Sequence, residues 1–182
     1  MSSSNPLFRS CRKTLPLRFI HVAIVKKHLN TSAGLLLFRQ RPGQLEVLLA
    51  HPGGPFWQAK DIGAWTVPKG LVAAGEEPLA AARREFAEET GFHPEGPFIS
   101  LGAIRQKAGK EVHAWACEGD FDSATATSNM MWIEWPPRSG KRVRIPEVDR
   151  CEWFNLMEAR IKLNSAQSTF IDRLEKALSL GR

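Results

Sequence analysis

The sequence predicts an α/β domain, and three observations carry that expectation. Two short apolar runs, Ser32-Ala-Gly-Leu-Leu-Leu-Phe38 and Leu45-Glu-Val-Leu-Leu-Ala50, flank the turn signal Arg41-Pro-Gly43. Runs of this length bounded by Pro and Gly read as buried strands of a hairpin. A stretch rich in Ala, Leu, Glu and Arg then extends from Pro78 to Thr90, just before Gly91. Proline is preset for the first helical position and glycine supplies a left-handed cap, so a helix of about thirteen residues is expected there. Further strand signals follow it, so helix and strands interleave along the chain.

The remaining elements fall between these landmarks. Residues 52–60 are rich in Gly, Pro and aromatics and read as a loop, and Trp65-Thr-Val-Pro68 is a short extended piece halted before Lys69-Gly70. Ile99–Gln106 and Glu111–Glu118 flank Lys107-Ala-Gly-Lys110, a second hairpin signal. Val112, Ala114 and Ala116 alternate with His113, Trp115 and Cys117, as on the two faces of a strand. Met130–Trp135 is a further strand candidate and Glu152-Trp-Phe154 a short apolar piece. In the terminal helical region Phe170, Leu174 and Leu178 share one face at i, i+4, i+8.

Composition bounds the class. A chain of 182 residues, 43% hydrophobic and 24% charged, suits one domain with a buried core. Its formal charge of +6 is concentrated: residues 1–30 hold Arg9, Arg12, Lys13, Arg18, Lys26 and Lys27 with no acid. That leaves 25 − 6 = 19 basic residues against all 19 acidic ones in residues 31–182. The body is neutral, which argues against nucleic acid as a general partner. The expected organisation is a basic extension over 1–30 and one domain over 31–182. The extension is compatible with a disordered arm, an organellar presequence or residues contributed by an upstream start codon. Cys11, Cys117 and Cys151 are odd in number and widely spaced, which reads as reduced thiols and a cytoplasmic setting, with an organellar one as the alternative. Leu15–Val25 is interrupted by Arg18 and His21 and is too short to span a bilayer, no secretory cleavage site follows it, and no membrane partner is expected.

The chemistry concentrates in the central helix. Glu85, Glu88 and Glu89 stand at i, i+3 and i+4 on one face, with Leu79, Ala82 and Phe86 on a neighbouring core-directed stripe. Like charges so placed destabilise an isolated helix by roughly 0.2–0.5 kcal/mol per pair. Either the glutamates are a solvated face beside Arg83 and Arg84, or a hard divalent cation neutralises them, completed by water and substrate phosphates. The surrounding spacing decides between these. Gly70, five residues, Glu76, seven residues and then Arg84-Glu85-Phe86-Ala87-Glu88-Glu89-Thr90-Gly91-Phe92 resembles the box of the Nudix hydrolase family at all nine specified positions. A chance match at a given start is on the order of one in a billion.

That resemblance implies an α/β/α sandwich around a mixed β-sheet, with the box forming a loop, helix and loop. It reaches from about Thr31 to the C-terminus, because Trp65-Thr-Val-Pro-Lys-Gly70 and the later hairpin are similar too. It implies that Glu85, Glu88 and Glu89 bind Mg²⁺ or Mn²⁺, that Glu76 supports the cluster, that Gly70 offers its carbonyl and that Arg84 orients the glutamates. The implied reaction is hydrolysis of the pyrophosphate bond of a nucleoside diphosphate linked to X, such as a nucleoside triphosphate or a dinucleoside polyphosphate. The proton acceptor would be Glu88 or Glu89, or a later glutamate, with Glu147 the first candidate and Glu134 the second; both later residues also read as plain surface glutamates.

Lys69 precedes the box glycine, as in relatives that act on dinucleoside polyphosphates, and would neutralise a phosphate if it is not simply a surface lysine. Leu71 brings no second metal ligand. In Trp132-Ile-Glu-Trp-Pro-Pro-Arg-Ser-Gly-Lys-Arg142, Trp135 or Trp132 could stack a base while Arg138, Lys141 or Arg142 meets phosphate. Equally, the tryptophans could be core and the charges a solvated loop. Trp57 and Gly53-Gly54-Pro55 raise the same question with less support. His51, His93 and His113 show no ligand spacing and read as structural. Two other functions are compatible with the box: a non-catalytic nucleotide-sensing module and a pyrophosphohydrolase acting on the 5′ end of RNA.

Overall fold

The computed structural model describes residues 31–106 and 109–180. The basic stretch, Cys11, Lys107 and Ala108 lie outside the described residues. The apolar run Thr31–Arg41 forms β1, which turns at Gly43 into β2 (Gln44–Pro52), with Phe38 opposite Val47. β3 (Lys69–Leu71) pairs antiparallel with β1. Helix α1 covers Pro78–Thr90 and ends on Gly91, whose φ of 77° lets its N–H close onto the Ala87 carbonyl. β4 (Ile99–Arg105) and β5 (Glu111–Glu118) form the second hairpin. β6 (Met130–Glu134) and β7 (Arg142–Pro146) make a separate two-stranded sheet. β8 (Val148–Asn155), α2 (Leu156–Lys162) and α3 (Thr169–Leu180) complete the described chain.

The main sheet runs β4-β5-β1-β2-β8, with β3 on β1 off that path. β1 and β5 are parallel and the other pairs antiparallel, so the sheet is mixed. β1 is buried on both faces, which is why it reads as a continuous apolar run. Its residues divide by parity. Leu36 and Phe38, with Val47 and Leu49 of β2, pack on Ala159, Phe170, Ile171 and Leu174 of α2 and α3. Leu35, Leu37, Leu48 and Ala50 face the other way, onto Ala81, Ala82 and Phe86 of α1. Helices cover both faces, giving the α/β/α layering. The fully buried Phe86 contributes about 1.5–3 kcal/mol by leaving water.

Several details differ from the sequence expectation. Leu79 is only half-buried, and the core stripe of α1 is Ala81, Ala82 and Phe86. Lys69-Gly70 lies in a strand, which at three residues is too short for any periodicity to register and forms because β1 offers it an edge. Arg142–Pro146 is a strand rather than a solvated loop, and α2 is a separate helix capped by Asn155, whose side chain accepts from the Glu158 N–H at 2.9 Å. Cys117 and Cys151 are buried free thiols. His51 is fully buried, its Nδ1 2.8 Å from Asp149 and its Nε2 2.8 Å from the Lys60 carbonyl, and His113 bonds Glu111. His93 is exposed. No helix among the described residues is long and apolar enough to cross a membrane.

The extended piece at 65–68 is held from the α2–α3 turn. Trp65 bridges Leu163 and Thr66 bridges Ala50. The buried Gln167 accepts the Val67 N–H at 2.8 Å and meets Thr66 Oγ1 at 3.1 Å. Gln167→Leu leaves a buried N–H unpaired, which costs about 1–3 kcal/mol. The melting temperature is expected to fall by roughly 2–4 °C per kcal/mol in a thermal unfolding scan; an unchanged value would show that this bond does not hold the segment.

Candidate active site

β1 brings the site together by letting β3 approach closely. Lys69 pairs with Gly34, where a Cβ would come within 2.7 Å of the Lys69 Cβ and 2.8 Å of the Pro68 carbonyl oxygen. Only glycine leaves that room. β3 in turn lies against the carboxylate face of α1. The Lys69 N–H donates to Glu89 Oε2 at 2.9 Å. A Cβ on Gly70 would stand 1.8 Å from Glu85 Oε2, so the Glu85 carboxylate rests on bare backbone.

Arg84 organises the other acids. Its Nε and Nη2 donate to the two oxygens of Glu76 at 2.9 Å each, its Nη1 to Glu85 Oε1 at 2.7 Å, and its Nη2 to the Leu71 carbonyl at 3.1 Å. Glu88 lies at 3.4 Å from Nη1. This fork, together with the Ala73 N–H, holds the Glu76 carboxyl below its usual range. Glu85 shifts the other way: burial raises it, against the opposing pull of Arg84. Glu89 is 5% exposed, and burial pushes its carboxyl up to about 8, with Lys69 opposing and Glu147 and Glu85 adding repulsion.

Part of this set lines one cleft of about 450 Å³, with Glu76 and Arg84 outside its lining. Glu85, Glu88, Glu89 and Glu147 supply carboxylates, and Lys69 and Lys110 supply ammonium groups. Glu147 is placed by backbone: its carbonyl accepts from Gly53, its N–H donates to Asn129, and the Asn129 N–H donates to the Glu88 carbonyl. Half-buried Lys110 has its pKa lowered, first by burial and then by Lys69. Sequence reasoning missed it, because the only signal at that position was a turn.

The donor set fits a hard divalent cation. It is all oxygen, and it includes the buried Glu89 carboxyl, where a cation would take the place of the proton that burial favours. Among the described residues no three His, Cys, Asp or Glu side chains are arranged to hold an ion by themselves. Arg84 draws on Glu76, Glu85 and Glu88, while the Lys69 N–H engages Glu89. Mg²⁺ is often held by one or two carboxylates plus water and substrate phosphates, and Glu85, Glu88 and Glu89 are the carboxylates that would serve there.

Other expected site residues stand elsewhere. Glu134 accepts from the Gly140 N–H at 2.7 Å, toward the far end of the β6–β7 hairpin. Trp135 packs edge-on against Phe56, with ring centroids 4.7 Å apart. Arg138 sits at φ 63° in the hairpin turn, and it and Lys141 are exposed. Trp135, Arg138 and Lys141 do not line the cleft. Lys60 lies over Trp57, 4.6 Å from its ring centroid.

The family model for the NUDIX domain matches residues 28–174. An octanoyltransferase of Myxococcus xanthus is 30% identical over 148 residues, 81% of this chain and 33% of that protein. An RNA pyrophosphohydrolase of Roseobacter denitrificans is 54% identical over 35 residues, 19% of this chain and 22% of that protein. The chain thus spans a third or less of the length of these two curated relatives, and their names describe different reactions, so what they share with it is a domain. An Ap4A hydrolase of C. elegans, solved as a binary complex, superposes with a TM-score of 0.60 at 22% identity, covering 81% of this chain and 98% of its own. That likeness shows the fold. The matched span takes in the layered sheet and the Gly70–Phe92 box together, and the chain belongs to the Nudix family.

Proposed function

We propose that the chain is a divalent-cation-dependent pyrophosphohydrolase that cleaves the anhydride of a nucleoside diphosphate linked to X, with a nucleoside triphosphate or dinucleoside polyphosphate as substrate. One observation carries this reading: four carboxylates and two ammonium groups share a single cleft. Carboxylates alone would repel a polyphosphate, and lysines alone would bind it without cutting. The two together suit a cation on the acidic groups and phosphate between that cation and Lys69 and Lys110.

When bound, Mg²⁺ or Mn²⁺ supplies Lewis-acid polarisation of the phosphate and activation of the attacking water. The chain's own residues do the rest. Lys69 and Lys110 offset phosphate charge, and Arg84 fixes Glu85 and Glu76 so that Glu85, Glu88 and Glu89 keep their positions. Glu147 is the proton acceptor in this reading, since it lines the cleft whereas Glu134 does not. A second reading, hydrolysis at the 5′ end of RNA, is favoured by the name of the Roseobacter relative.

Incubating the full chain with Mg²⁺ and a panel of nucleoside triphosphates and dinucleoside polyphosphates tests the proposal. Turnover on at least one member is expected, reduced about 100-fold or more by Glu88→Gln. No difference between the two proteins on any member would overturn it, and tight nucleotide binding without turnover would indicate the sensing module.

A thermal scan checks the cation site separately. The folded-state value of Glu89, about 8, lies above the ordinary value for a glutamate. A raised carboxyl stabilises the fold fully below its unfolded pKa, and that contribution disappears as pH rises through the folded value. A cation replaces the missing proton, so saturating Mg²⁺ should raise the melting temperature more at pH 8 than at pH 5. Glu89→Gln should narrow the difference, and equal shifts at both pH values would contradict the site.

A further inference from the structure

The β6–β7 hairpin carries a surface that the cleft does not use. In its register Trp132 stands opposite Arg144, Met130 opposite Pro146 and Glu134 opposite Arg142, so these six side chains share one face. Trp132 is 58% exposed and Met130 45%. Residues 130–146 hold Arg138, Lys141, Arg142 and Arg144 against Glu134 alone, 4 − 1 = +3, within a body whose net charge is zero. None of those four cations makes an ion pair among the described residues, whereas Arg39, Arg84 and Arg160 are each paired with carboxylates. Glu134 is engaged with the Gly140 N–H.

Here charge collects on one face of an element whose other face packs against the body. The opposite face is the structural one: Ile133 and Ile145 reach Gly54, and Trp135 meets Phe56. The outward face offers a bare aromatic ring and a flexible thioether beside unpaired guanidinium groups. That combination fits a chain of stackable bases joined by anionic links better than it fits water.

We infer that the outward face of the β6–β7 hairpin binds single-stranded nucleic acid, with a base stacked on Trp132 and backbone phosphates on Arg142 and Arg144. The position supports this. Pro146, at the base of the hairpin, leads directly into Glu147 and Val148, which line the cleft. At about 3.3 Å per strand residue, Arg144 and Arg142 lie roughly 10 and 17 Å of strand from Glu147. A strand on the hairpin therefore has one end beside the cleft; that its terminal phosphates are cut there rests on the function proposed above, whereas its binding does not.

The test uses the full chain and a 20-nucleotide single-stranded RNA bearing 4-thiouridine. Photocrosslinks are expected in the peptide spanning 130–146. Trp132→Ala is expected to weaken binding about tenfold. The double variant Arg142→Ala, Arg144→Ala is expected to flatten the slope of log affinity against log salt by roughly one to two. Turnover of a dinucleoside polyphosphate by these variants should stay within about twofold of the parent, which separates failure of this surface from failure of the catalytic reading. Crosslinks confined to residues outside 130–146, unchanged RNA affinity in both variants, or Trp132-dependent binding to phosphatidylserine vesicles with none to RNA would overturn the inference.

Discussion

Carboxylates that must face one another in a partly buried cleft repel and lose hydration, so a fold that gathers them needs a built-in cation. Arg84 is that cation. It grips both oxygens of Glu76, reaches Glu85 and holds the Leu71 carbonyl, tying the loop before α1, the helix itself and the end of β3 into one unit. Glu76 is fully compensated and its carboxyl sits low, while Glu85 and Glu89 sit high because burial outweighs the charge they receive. The arrangement stores an unmet demand for positive charge at the end of the helix, beside two lysines that would repel a bare cation but welcome one carrying phosphate.

The same economy explains why small residues recur around the site. Gly34 admits β3 against β1, and Gly70 leaves space that the Glu85 carboxylate fills. A side chain at either position would move the acids relative to the lysines. Gln167 holds the strand leading into Lys69 from the opposite layer, so the cleft depends on the helix layer that does not contribute to it.

Much of this was legible in the sequence because the relevant signals are short-range. The β1–β2 hairpin, the limits of α1 and its Gly91 cap, and the β4–β5 pair follow from local pattern, and the box spacing brought Glu76, Arg84, Glu85, Glu88 and Glu89 to attention together. What was not legible depends on pairing across the chain. β3 is three residues long and exists through β1. β7 alternates Arg-Val-Arg-Ile, a period of two that reads as a basic run until β6 is placed beside it. Lys110 enters the cleft because β5 runs parallel to β1, a topological fact with no local mark. Conversely, Trp135, Arg138 and Lys141 form one sequence segment with suitable chemistry, but the hairpin turns Trp135 onto Phe56 and leaves the two cations exposed and outside the cleft lining.

In the proposed function cation and phosphate occupy the cleft as a pair, each completing what the other lacks. Calorimetric titration of Mn²⁺ into the protein, with and without a non-hydrolysable dinucleoside polyphosphate, addresses it directly. Mn²⁺ alone is expected to bind weakly and to bind about tenfold or more tighter when nucleotide is present, with the metal tightening nucleotide binding by the same factor. Nucleotide affinity unaltered by Mn²⁺, with Mn²⁺ affinity unaltered by nucleotide, would contradict it.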